Sequence, residues 1–190
     1  MARRVCPWWL GYILACRWRR FLQDPGKILA AYAREGMTVL EPGPGMGYFT
    51  LELARRVGGS GRVVVVEIQP RMLDRLKRRA GRAGLLGRLD ARLARSDSMN
   101  VDDLHGQVDF AFAFAVVHEV PDAQSLFLQI ARCLRPDGSL LVAEPPGHVK
   151  AERFEKELEA AARAGLSLVD RPAVPRSQAA LLKKDQYASL

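Results

Sequence analysis

The chain has 190 residues, 48% of them hydrophobic and 26% charged, and its 29 Lys and Arg outnumber 21 Asp and Glu for a net charge of +8. That balance fits an ordinary globular protein able to bury a sizeable core, and excludes collagen-like, coiled-coil and low-complexity classes. No apolar run approaches the roughly 20 residues that span a bilayer, and the cysteines Cys6, Cys16 and Cys133 lack the C-x-x-C pairing of a structural zinc site.

Arg3 and Arg4 precede an apolar stretch from Pro7 to Ala15, and Ile13-Leu14-Ala15-Cys16 imitates a lipoprotein cleavage site. Gly11 interrupts that stretch and Arg17, Arg19 and Arg20 follow it at once, which disfavours export. The preferred expectation is an amphipathic helix that packs Trp8, Trp9, Tyr12 and Ile13 onto the domain of a cytoplasmic protein with reduced thiols.

Further on, short β-branched runs alternate with helical patterns. Thr38 to Leu40 reads as a strand, and Phe49 to Val57 as a helix with Leu51, Leu53, Ala54 and Val57 apolar. Arg62 to Glu67 holds four consecutive valines, as a strand buried on both faces does. Pro70 to Ala83 opens with proline, a favoured first helical residue. Leu89 to Leu93 is a weaker strand, and Val108 to Val117 a buried run in which Ala and Phe alternate. Ala123 to Leu134 carries Leu126, Ile130 and Leu134 on one helical stripe; Arg135 to Gly138 reads as a turn and Ser139 to Glu144 as a strand. Glu152 to Ala164 is a long helix, after which Leu166 to Asp170 and Gln178 to Leu182 read as two antiparallel strands around a Pro-flanked loop. Such alternation predicts a mostly parallel sheet with helices on both faces, and ligands then bind beyond the carboxyl ends of its strands. No linker divides the chain, so one domain over 1–190 is expected.

The first strand runs into Glu41-Pro42-Gly43-Pro44-Gly45-Met46-Gly47-Tyr48-Phe49-Thr50, with a helix directly behind it. Glycines let backbone turn tightly and approach a ligand closely. A dinucleotide site would read G-x-G-x-x-G, whereas here Tyr48 stands where the third glycine belongs. Glu41 would repel a pyrophosphate and favour an ammonium group. Glu67 ends the second strand, twenty residues past Gly47, where an acid accepts from ribose hydroxyls. Asp97, between Ser96 and Ser98, follows the third strand, where a carboxylate can accept from the amine of adenine. Three acids, one after each successive strand, are far more specific than any one alone.

On these residues the chain, from Gln23 to Lys184, resembles the class I S-adenosylmethionine-dependent methyltransferases. Val39 to Gly47 matches that family's acid-x-G-x-G-x-G signature, with Glu in place of the commoner Asp. His118-Glu119-Val120-Pro121-Asp122 and Leu134-Arg135-Pro136-Asp137-Gly138 are similar to the quinone-biosynthesis branch. The resemblance implies a three-layer α/β, Rossmann-like fold with a seven-stranded sheet in the order 3-2-1-4-5-7-6, strand 7 antiparallel. It implies S-adenosylmethionine as cofactor and S-adenosylhomocysteine as product. Glu41, Gly43, Gly45 and Gly47 would then hold the methionine end, Glu67 the ribose and Asp97 the adenine, with Ile68, Ser98 and Phe114 lining the cofactor. Residues 1–32 would form a helical lid.

The sulfonium is already a strong methyl donor, so the protein chiefly aligns the reactants and excludes water. A general base helps only where the acceptor arrives protonated. His118, after the fourth strand, is the candidate base by its near-neutral pKa. Trp8, Trp9, Tyr12 and Glu144 are the candidate acceptor pocket, and a small, fairly apolar acceptor is the expectation. Nine basic residues from Arg71 to Arg95 against Asp74 and Asp90 leave that segment at +7. The alternative is therefore methylation of RNA or another anionic partner, with weak binding expected because no aromatics are interleaved. A non-catalytic cofactor-binding protein is the third reading. The glycine spacing disfavours a nicotinamide oxidoreductase, and acceptor identity and oligomeric state are not legible.

Overall fold

The computed structural model describes residues 23–95 and 97–185. The expected amino-terminal helix, with Trp8, Trp9 and Tyr12, lies outside the described residues, as does Ser96. The seven strands take the order β3-β2-β1-β4-β5-β7-β6, flanked by helices. That is the order expected of a Rossmann-like methyltransferase sheet, with its last strand antiparallel. By its contacts the chain groups into two compact units that divide between Asn100 and Val101.

The first unit carries β1 (Thr38–Pro42), β2 (Arg62–Glu67) and β3 (Leu89–Leu93), with helices α1 (Pro25–Leu29), α2 (Thr50–Arg56) and α3 (Pro70–Arg82). The strands are parallel, Thr38 opposite Arg62 and Val63 opposite Leu89. All four valines of β2 are buried, which is why the run lacks polar alternation. Asp24 caps α1 by accepting from the Gly26 N–H at 2.8 Å. Helix α3 buries Met72, Leu73, Leu76 and Ala80 and turns Arg71, Asp74, Lys77, Arg78 and Arg82 outward.

The second unit holds β4 (Val108–Phe114), α4 (Ala123–Cys133), β5 (Leu134–Glu144), α5 (Ala151–Arg163), β6 (Leu166–Asp170) and β7 (Gln178–Lys184). Strands β4 and β5 are parallel, while β7 runs antiparallel to both β5 and β6. Asp122 caps α4 through the Ser125 N–H at 3.1 Å. Two local readings change here. Strand β4 stops at Phe114, because Ala115 adopts φ 54 and turns the chain out of the sheet. The apolar run continues to Val117 because Val116 and Val117 remain buried in the turn that follows. The turn over Arg135 to Gly138 sits inside β5 as a bulge: Leu134 pairs with Val108, and pairing resumes at Ser139 with Phe110. Arg135 there makes ion pairs with Asp109 and Asp137.

Among the described residues, no helix is long and apolar enough to cross a membrane.

Candidate active site

In the first unit, the carboxyl ends of β1 and β2 bring Glu41, Gly43, Gly45, Gly47 and Glu67 together. The Gly43 N–H donates to the Val66 carbonyl at 2.9 Å and prolongs the β1–β2 pairing into the loop. Gly43, Gly45 and Gly47 have φ of 65, 54 and 78, so the loop bends through left-handed conformations that side chains disfavour. A Cβ on Gly47 would also lie 3.0 Å from Leu76 of α3. At Gly45 a Cβ would meet nothing nearer than the Met72 sulfur at 4.0 Å, so the space beside the loop there is open.

Glu41 is buried beneath this loop. Its Oε2 accepts from the Thr50 hydroxyl at 2.6 Å, a contact from the first residue of α2, nine positions further along the chain. Burial pushes the Glu41 carboxyl up to about 8, opposed by the Thr50 hydrogen bond and assisted by the nearby Glu67. Glu67, also buried, accepts from the Gly45 N–H at 3.1 Å and the Gln69 N–H at 2.9 Å. Its carboxyl is raised as well, by burial first, with backbone N–H groups of Gln69, Gly45 and Ile68 pulling the other way. Glu67 thus ties the glycine loop to the end of β2 and retains further lone pairs for a ligand. A buried carboxyl under an open glycine cradle, which a cation placed beside it would ionise, fits the ammonium group of S-adenosylmethionine.

The remaining expected contacts are looser. Ile68 is 45% exposed, an apolar side chain left uncovered beside Glu67. Asp97 is exposed, and among the described residues none links it to Glu41 or Glu67. The Ser98 hydroxyl accepts from the Asn100 N–H at 3.0 Å, which holds the short loop behind β3.

In the second unit, the carboxyl ends of β4 and β5 bring His118 and Glu144 together. Glu144 is fully buried, and its Oε1 accepts from the Val117 N–H at 2.8 Å. Its Oε2 lies 2.6 Å from His118 Nδ1. The His118 pKa is raised, chiefly by that hydrogen bond; burial and Arg153 oppose the rise, and Glu119 assists it. From α5, Arg153 donates to the His118 carbonyl at 2.9 Å and faces Glu157 at 3.3 Å. The His148 ring stands edge-on to His118 with centroids 5.5 Å apart. Phe114 ends β4 half-buried, its ring 5.9 Å from that of Phe112. Sequence reasoning missed Arg153 and the pairing of Glu144 with His118, because neither residue belongs to a motif that announces the other.

The basic segment is partly consumed by the fold. Arg79 donates to the Met46 carbonyl of the glycine loop, Arg88 to the Ala54 carbonyl at 2.9 Å, and Arg92 pairs with Asp90 at 2.7 Å.

Comparison with known proteins agrees with this geometry. A family profile described as "Methyltransferase domain" matches residues 39–138, more than half of the chain. The ubiquinone/menaquinone biosynthesis C-methyltransferase UbiE of Shewanella halifaxensis is 30% identical over 127 residues, covering 67% of this chain and 48% of that protein. The chain therefore spans about half the length of the curated relatives it matches. A SAM-dependent methyltransferase from Aquifex aeolicus has the same fold, with a TM-score of 0.82 at 23% identity over 94% of this chain and 97% of that one. A TehB-like SAM-dependent methyltransferase from Corynebacterium glutamicum matches with a TM-score of 0.71 at 19% identity, covering 92% and 98%. The chain belongs to the class I methyltransferase domain family, whose methyl donor is S-adenosylmethionine.

Proposed function

We propose that the whole chain is one methyltransferase domain that moves a methyl group from S-adenosylmethionine to a small, fairly apolar acceptor. The observation that carries this reading is the buried Glu41 carboxyl under the open glycine loop, held by Thr50 and flanked by Glu67. Glu41 pairs with the cofactor's ammonium group, Glu67 accepts from its ribose, and Asp97 and Ser98 approach its adenine. Ile68 supplies apolar surface beside Glu67. The bound sulfonium supplies an electrophilic methyl group and leaves as a neutral thioether. The lid expected over 1–32, with Trp8, Trp9 and Tyr12, falls mostly outside the described residues, and Glu144 is fully buried against Val117 and His118. The names of the curated relatives, C-methyltransferases of ubiquinone and menaquinone biosynthesis, support a small-molecule acceptor.

Calorimetry tests the cofactor half. S-adenosylmethionine and S-adenosylhomocysteine should both bind, and NAD should give no heat. Glu67→Ala should weaken binding by about 1–3 kcal/mol, the range for losing a hydrogen bond to a charged acceptor. NAD binding without an S-adenosylmethionine signal would remove the reading.

The anionic-partner reading is weaker, because three arginines of the basic segment serve the fold. Lys77, Arg78 and Arg82 are exposed along α3. Labelled RNA should bind weakly, without sequence preference, and be released by salt. RNA binding that stays tight at high salt would put this reading first.

A further inference from the structure

Helix α3 meets the glycine loop along one stripe of its surface, made by Met72, Leu76 and Arg79 at positions i, i+4 and i+7. Met72 and Leu76 are the side chains that a Cβ on Gly45 and on Gly47 would meet first. Arg79 ends the stripe and donates from its guanidinium to the Met46 carbonyl, between those two glycines. The first two contacts are apolar, whereas the third places a half-buried cation against backbone. Among the described residues no carboxylate pairs with it, and burial lowers its pKa. Drawing an unpaired charge partly out of water opposes folding, so stability alone does not account for its placement.

The loop supplies the missing reason. Gly43, Gly45 and Gly47 let the chain bend, and for the same reason leave it many conformations where nothing fixes it. Three hydrogen bonds fix it from the strand ends and from within. The Gly43 N–H donates to the Val66 carbonyl, the Gly45 N–H to the Glu67 carboxylate and the Gly47 N–H to the Pro44 carbonyl. The Met46 carbonyl and the Gly47 N–H belong to one peptide plane, so Arg79 and Pro44 hold that plane by its two ends. Gly47, at φ 78, offers little steric resistance to rotation of the plane, and its orientation therefore depends on those two bonds. The bond from the charged donor is the stronger of the pair.

We propose that Arg79 is a positioning residue for the cofactor, holding the Met46–Gly47 peptide plane so that the glycine loop is in its binding form before S-adenosylmethionine arrives. The inference rests on the reading that the cofactor binds on this loop. A loop ordered in advance loses less freedom on binding, and affinity rises by that difference. Arg79 touches neither cofactor nor acceptor in this role; its effect passes through the loop.

The test pairs NMR of the protein, labelled with nitrogen-15 and carbon-13, with calorimetry of S-adenosylhomocysteine binding. In the free wild-type protein, Arg79 should give a slowly exchanging guanidinium signal correlated across the hydrogen bond with the Met46 carbonyl carbon. The Gly45 and Gly47 amide signals should be sharp. Arg79→Met keeps an extended side-chain stem and removes every donor. It should weaken S-adenosylhomocysteine binding by about tenfold, as expected for losing a hydrogen bond from a charged donor. It should also broaden the Gly45 and Gly47 amides in the free protein, and saturating ligand should sharpen them again. Arg78→Met, the same change of charge on the exposed side of α3, should leave both the affinity and the loop as they are. A merely structural Arg79 would lower the urea midpoint and leave the affinity of the folded protein and the glycine amides unmoved; that result would overturn the proposal. So would an equal loss of affinity in Arg78→Met. A rapidly exchanging Arg79 guanidinium in the wild type would overturn it as well, a result that needs no variant to fold. Wild-type protein that binds no S-adenosylhomocysteine, or binds it with the loop amides unshifted, would instead remove the reading that the cofactor sits on this loop.

Discussion

Affinity for S-adenosylhomocysteine should rise by about a hundredfold between pH 6 and pH 8 and level off above it, with a proton released on binding. The cause is Glu41. In the free protein its buried carboxyl is held up to about 8, so below that pH it is protonated. A cationic amino group pairs only with the carboxylate, so each pH unit below the raised value weakens binding by about tenfold. Glu67, beside it, assists the rise at Glu41. Glu41→Gln should lose the proton release and most of the affinity. The same substitution should act oppositely on the free fold. A group whose folded pKa lies above its ordinary 4.5 stabilises fully below that value, and the benefit is lost as pH rises through about 8. The free wild-type protein should therefore lose thermal stability from pH 5 to pH 9, and Glu41→Gln should flatten that decline. Binding measured at pH 6 and pH 8 in buffers of different ionisation heat reads both effects. A pH-independent affinity would show that Glu41 is not the group that meets the amino nitrogen.

Phe112→Ala should destabilise the protein by about 3–5 kcal/mol. On β4 the alternation of Phe and Ala puts Phe110, Phe112 and Phe114 on one face and Ala111 and Ala113 on the other. Phe112 is fully buried between the other two rings, at 6.4 and 5.9 Å. Truncation removes both ring contacts and leaves a cavity that a sheet strand cannot move to fill. Against a typical total of about 5–15 kcal/mol, such a loss brings the fold close to its limit. Urea unfolding measures it, and a change under about 1 kcal/mol would mean that this face of β4 is not core.

What the sequence revealed, and what it hid, follows from where information is local. The four valines of β2, the glycine loop and the acids at the strand ends are read from spacing, because period and turn chemistry act over a few residues. The apolar run outlasts strand β4 by three residues, because burial and strand pairing part company at Ala115 while the residues stay apolar. The Arg135–Gly138 turn was visible, but its place as a bulge within β5 depends on pairing with β4, which is not local. Thr50 stood in the quoted loop, yet its role needs the helix to return its hydroxyl to Glu41. His118 and Glu144 were each singled out, whereas their contact across 26 residues needed the parallel register of two strands. Arg153 gave no signal at all, since an arginine on an amphipathic helix reads as solvated surface.

On the proposed reading, S-adenosylmethionine binds on the glycine loop against Glu41. Amide chemical shifts of the nitrogen-labelled protein, followed during titration with S-adenosylhomocysteine, test it residue by residue. Gly43, Gly45, Gly47, Thr50 and Ile68 should move most, and Glu41→Gln should suppress those movements at the same ligand concentration. Saturable shifts confined to other residues, with the glycine loop unmoved, would contradict it.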